Sequence, residues 1–177
     1  MATQQKLGEE YDSEFYDDIS DGSRASAKIV LPLVRELVNP ASVLDVGCGT
    51  GAWLAEWVAL GVTDVTGLDG SYVDKVRLQI AAKDFIATDL VRTFSLGRTF
   101  DLVQCLEVAE HIEAAHADVF VESIARHGNI ALFSAAIPGQ RGRHHVNEQW
   151  PSYWIEKFYK VGFTAYDIIR PQIWANR

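Results

Sequence analysis

Gly47, Gly49 and Gly51 occupy alternate positions in VLDVGCGTGAWLAEW, residues 43–57. Glycine loses more backbone freedom on folding than any other residue, so three of them between an apolar run and a helical pattern need a purpose. A turn of bare backbone lets a ligand approach without a Cβ in the way. A helix starting directly behind it offers unpaired N–H groups to polar ligand atoms. Asp69 ends the next apolar run, about 20 residues beyond the turn, the usual separation for a carboxylate that accepts from both hydroxyls of a ribose. Together these residues describe a nucleoside site. The glycines alone would also suit an ordinary tight strand-to-helix turn, and GCGTGA satisfies the dinucleotide pattern G-x-G-x-x-A. Asp45 separates the two ligand classes: it places a charge two positions before Gly47, where a dinucleotide-binding strand is normally apolar.

The elements that must hold these residues follow from apolar runs alternating with helical patterns. A helix is predicted over 23–37, stopped by Asn39-Pro40. Strand 42–46, helix 50–60, strand 65–68, helix 71–80 and strand 85–88 form the first half of a doubly wound sheet. A fourth strand over 100–106, a helix over 114–126 and a fifth strand over 130–134 follow. An irregular stretch, 136–150, then precedes a helix over 153–161 and a last strand over 163–169. Short continuous apolar strands separated by helices argue for an α/β fold, a mostly parallel sheet covered by helices on both faces. In such a sheet the ligand lies outside the carboxyl ends of the strands, where Gly47–Gly51 and Asp69 are placed.

At 177 residues with 48% hydrophobic composition, the chain suits one domain, with 1–22 as an N-terminal lid or flexible segment. Twenty-four acids against 16 bases give −8, and no basic block is longer than RGRHH at 141–145. A nucleic-acid partner or an anionic membrane surface is therefore disfavoured. Apolar runs fall short of a membrane span, and MATQQKLGEEYDSEFYDD has no apolar signal core, so a cytoplasmic location is expected. Cys48 and Cys105 lie inside apolar elements and read as reduced packing residues.

LDVGCGTG resembles the first motif of class I S-adenosylmethionine-dependent methyltransferases, which have a Rossmann-like sheet. GLDG at 67–70 resembles their second motif, ATDL at 87–90 the third, and FDLVQCLEVAEHI at 100–112 the fourth and its following loop. The resemblance implies S-adenosylmethionine as cofactor, with Gly47, Cys48 and Gly49 along its methionine moiety and Asp45 near its amino group. It implies that Asp69, followed by Gly70, holds the ribose, Asp89 and Leu90 the adenine edge, and Leu106 and Glu107 the other flank. YDSEFYDD at 11–18 is similar to family lids, which makes Tyr16 a cofactor contact.

A sulfonium is a good methyl donor, so the protein must mainly align the acceptor and exclude water. A hydroxyl acceptor also needs a base, and histidine is the usual choice. His111 follows the fourth strand, and His144 and His145 lie in the excursion GQRGRHHVNEQW, where the family places acceptor-binding elements. These three are the candidate catalytic residues, acting as base and clamp with no metal. Of Trp150, Tyr153, Trp154, Phe158 and Tyr159, at most two are assigned to substrate. The expected activity is methylation of a small molecule, a sugar or natural-product hydroxyl, with nitrogen as the runner-up. One rival is a metal-dependent RNA 2′-O-methyltransferase using Glu107, Glu110, His111 and His144 or His145. The other is a non-catalytic S-adenosylmethionine-binding protein. Family members end on a seventh strand, whereas here RPQIWANR is all that follows 163–169. The expectation is a stunted strand over 172–176, or a missing one that leaves an open sheet edge and favours a homodimer by strand exchange.

Overall fold

A computed structural model describes residues 13–175, and of residues 13–21 the backbone alone. The first helix, α1 (Ser13–Val38), is longer than the sequence predicts and buries Ala27, Leu31 and Val34 at helical spacing. Asn39 ends it in the left-handed conformation (φ 46°), its N–H donating to the Arg35 carbonyl at 2.8 Å. Most of the proposed lid, residues 1–12, and the side chain of Tyr16 lie outside the described residues.

Five strands follow: β1 (Ser42–Val46), β2 (Asp64–Asp69), β3 (Phe85–Ala87), β4 (Leu102–Leu106) and β5 (Ala131–Ser134). They form one parallel sheet in the order β3-β2-β1-β4-β5. The order reverses between β1 and β4, so a cleft opens at their carboxyl ends. Successive side chains of β1 alternate between the faces. Val43 packs under α1 and α2 (Ala52–Ala59) with Leu31, Leu54 and Trp57, whereas Leu44 and Val46 pack with Phe120 of α3 (Ala117–Ala125) and Trp154 of α4 (Pro151–Lys160). Helices thus cover both faces, as the alternation of apolar runs implied, and Cys48 and Cys105 are buried free thiols.

Two predicted elements are absent. The helix over 71–80 is replaced by a 3-10 turn at Lys75–Arg77 and an extended return. Asp74 breaks the pattern, accepting from the Val76 N–H at 2.9 Å, because a short acid competes well for nearby amides. The return then bonds to the glycine turn, with Gln79 N–H on the Thr50 carbonyl at 2.8 Å. The strand over 163–169 is absent as well. That segment crosses from one core to the other, with Phe163 on the α3–α4 side and Ile169 on the α1–α2 side. It ends in α5 (Arg170–Ile173), where Pro171 could not have donated to a ladder. The expected stunted strand over 172–176 is therefore corrected: residues 172–173 are helical, 174–175 form a turn, and Asn176 lies outside the described residues. Among the described residues the sheet lacks a sixth strand as well as a seventh.

Candidate active site

A cavity of about 1150 Å³ opens at the carboxyl ends of β1, β2 and β4. It is lined by the glycine turn, Asp45, Asp69, the segment after β4 and the 140–146 excursion.

Gly47, Gly49 and Gly51 all have positive φ (82°, 53° and 85°), a conformation in which a side chain would be strained. A Cβ on Gly47 would also stand 2.3 Å from Val108 Cγ2, whereas one on Gly49 would meet nothing within 4 Å. Of the three, Gly49 therefore leaves the most open backbone to the cavity. Four amides of this turn are engaged within the protein. Gly47 and Cys48 donate to the Leu68 carbonyl (2.7 and 3.1 Å), and Gly51 donates to that of Cys48 (2.8 Å). Gly49 donates to Asp69 Oδ2 at 2.7 Å. Cys48 contributes backbone to the cavity while its thiol lies against Gly67. Asp69 is buried, and Oδ1 also accepts from Gly70 N–H (2.6 Å) and from the Tyr72 hydroxyl (2.7 Å). Burial raises its pKa, against the pull of these donors.

Asp45 is 3% exposed, beside Gln104, its partner in register. Burial pushes it up to about 7, with repulsion from Asp69 adding to the shift. At the end of β3, Asp89 accepts from Val91 N–H at 3.2 Å and pairs with Arg92 at 3.3 Å, and Leu90 is buried in the core beneath. Leu106 and Glu107 line the opposite wall. Glu107 has φ 56° and accepts from the Ser134 hydroxyl (2.7 Å) and Gln140 Nε2 (3.2 Å). Besides Asn39, the non-glycine residues with left-handed backbone among the described residues are Glu107, Arg141 and His144, and all three line the cavity. Strain of this kind collects at functional sites.

The histidines divide unequally. His111, on the 3-10 turn Ala109–His111, meets His145 edge to face with ring centroids 5.0 Å apart. His111 Nδ1 lies 3.2 Å from the His144 carbonyl, and burial lowers its pKa, with His145 adding to the shift. His145 Nδ1 lies 2.8 Å from Glu148 Oε1. His144 contributes its carbonyl, and its side chain is exposed. Two acids complete the group. Glu110, weighed in the sequence only as a metal ligand, is 1% exposed, raised by burial to about 7, and places Oε1 3.9 Å from His145 Nε2. Glu148, which no sequence motif singles out, also accepts from the amides of Gly139 and Arg141 at 2.8 Å each. Its one legible signal was its i+3 spacing from His145. The five aromatic candidates over 150–159 stay out of the cavity: Trp154 and Phe158 are core, Tyr153 packs against it, and Trp150 and Tyr159 face outward.

The sequence pattern of the family described as methyltransferase domain matches residues 19–164. Malonyl-[acyl-carrier protein] O-methyltransferase of Pseudescherichia vulneris is 29% identical over 142 residues, 75% of this chain and 53% of that protein. This chain thus spans about half the length of that relative. The sugar N-methyltransferase KedS8 from Streptoalloteichus is 30% identical, with a TM-score of 0.55 over 66% of this chain and 50% of that one. DhpI, solved with SAH, shares the fold at 18% identity, with a TM-score of 0.67 over 95% of this chain and 90% of that one. The match takes in every strand, the glycine turn and the histidine cluster, and the chain belongs to the methyltransferase-domain family, in the class I S-adenosylmethionine-dependent group.

Proposed function

We propose that this protein methylates a hydroxyl of a small molecule, a sugar or natural product, with His111 as the base. When bound, S-adenosylmethionine supplies a methyl group on a sulfonium whose sulfur leaves as a neutral thioether. The residues fit it: Gly49 opens bare backbone to the cavity and Asp69 presents a carboxylate beside it. Asp45 lies within reach of the same space for an amino group.

The observation that carries the reading is the 3.2 Å contact of His111 Nδ1 with the His144 carbonyl. A carbonyl oxygen only accepts, so Nδ1 facing that of His144 carries the hydrogen and Nε2 keeps its lone pair. With its pKa below the usual 6.5, the ring is neutral at neutral pH. His111 Nε2 takes the proton that the acceptor hydroxyl sheds as its oxygen gains the methyl carbon. His145, held by Glu148, clamps the acceptor, and the 140–146 excursion excludes water. The small-molecule acceptor is supported by the likeness to a sugar N-methyltransferase, which also keeps nitrogen as the runner-up.

Turnover on a panel of sugar and phenolic acceptors, followed by mass spectrometry, tests this. His111→Ala should lower kcat by about 10²–10⁴-fold with SAH affinity nearly unchanged. Activity should survive EDTA. One observation favours a metal-assisted reading instead: Glu110 Oε2 is buried without a hydrogen-bond partner, and ligand atoms of Glu110, His111 and His145 lie within 4.8 Å of one another. Loss of activity in EDTA with rescue by Mn2+ would select that reading. Tight SAH binding without turnover on any acceptor would select the non-catalytic one.

A further inference from the structure

Asp69 has fewer free positions than a ribose requires. An ionised carboxylate offers about four lone-pair sites, two on each oxygen. Oδ1 is filled by the Gly70 amide and the Tyr72 hydroxyl, and Oδ2 is half filled by the Gly49 amide. One site remains, on Oδ2, whereas two ribose hydroxyls need two.

Of the three donors, only one can leave. The Gly49 and Gly70 amides belong to backbone fixed by the turn and by the end of β2. The Tyr72 hydroxyl sits on a side chain that lines the cavity and swings by rotation about its own bonds. Its ring lies directly against Gly70, where a Cβ would stand 2.0 Å from Tyr72 Cε1. Gly70 therefore serves to let this ring rest against Asp69. A buried carboxylate short of donors is costly, and the phenol supplies one as long as no ligand does.

We propose that the Tyr72 hydroxyl holds the place of one ribose hydroxyl on Asp69 and gives way when the nucleoside of the cofactor binds. The proposal rests on Asp69 as the ribose acceptor. In this arrangement the ribose exchanges one O–H donor for another, so that hydrogen bond adds little net affinity. Tyr72 is thus a positioning residue that keeps Asp69 aimed while weakening the hold on cofactor and on its demethylated product alike.

Calorimetry with SAH reads the effect. Tyr72→Phe keeps the ring on Gly70 and removes only the hydroxyl, and it should tighten SAH binding about 3- to 10-fold. Its melting temperature should fall without SAH and match wild type at saturation. Tyr72→Met, which also lacks the hydroxyl, should tighten binding in the same direction. A merely structural tyrosine would weaken SAH binding on removal, so unchanged or weaker binding in both variants overturns the proposal. Asp69→Ala tests the reading beneath it. That variant should lose most SAH affinity, and intact binding would overturn the ribose assignment itself, whatever Tyr72 does.

Discussion

Asp45 titrates where few carboxyls do. Burial holds its pKa near 7 against 3.8 in the unfolded chain, and Glu110 is likewise raised from 4.5 to about 7. Between those values the folded protein holds protons that the unfolded chain has released, so stability falls as pH rises. The loss begins at about pH 4 and is complete just above 7. Asp101 and Glu148, whose pKa values are lowered by hydrogen bonds, act in the opposite sense in the acid range, and His111 and His127, lowered by burial, oppose it up to about pH 6.5. The melting temperature of the ligand-free chain should therefore drop between pH 6.5 and 7.5, above the range in which the histidines oppose it, and Asp45→Asn should flatten part of the slope. A wild-type melting temperature level across that range would refute the assignment. At this scale much was legible: the glycines, Asp45 and Asp69 carry their chemistry in residue type and local spacing. Tyr72 and Glu148 were not legible, because their roles come from what they touch.

The 136–150 excursion is irregular in dihedrals yet firmly anchored. The Glu110 carbonyl accepts from the amides of Val146 and Asn147 at 2.9 and 3.0 Å, and Asn147 Nδ2 reaches the Ile112 carbonyl at 3.0 Å. Glu148 closes the other end by holding Gly139, Arg141 and His145 together. Glu148→Ala should leave SAH affinity intact and lower kcat by about 10- to 100-fold, because it releases His145, the proposed clamp, and not the cofactor site. Steady-state kinetics beside calorimetry would show this, and an equal loss of SAH affinity would contradict it. The helix over 71–80 and the strand over 163–169 fail as readings for one reason. Each apolar pattern satisfied a local period, but its partners (Thr50 and Ile80 against the turn, Phe163 and Ile169 on opposite cores) are set by tertiary contacts.

Across the whole molecule, the outer edge of β5 pairs with no strand among the described residues. Ile130, Ile168 and Trp174 are 45%, 48% and 74% exposed. An open edge that begins next to the exposed Ile130 favours pairing with a second copy. The chain should show concentration-dependent dimers by light scattering, and Ile130→Lys should return it to monomer. A wild-type monomer at high concentration would rule this out. No helix among the described residues is long and apolar enough to cross a membrane. The engaged amides of the glycine turn also bear on ligand charge. A dinucleotide presents a diphosphate, which needs backbone N–H groups at this position, yet those of Gly47, Cys48, Gly49 and Gly51 already donate within the protein. Asp45, Asp69 and Glu107 line the same cavity, in a chain of net charge −8. Those four amides are thus not free to receive a diphosphate, so making Asp45 apolar would not by itself turn this site into a dehydrogenase's.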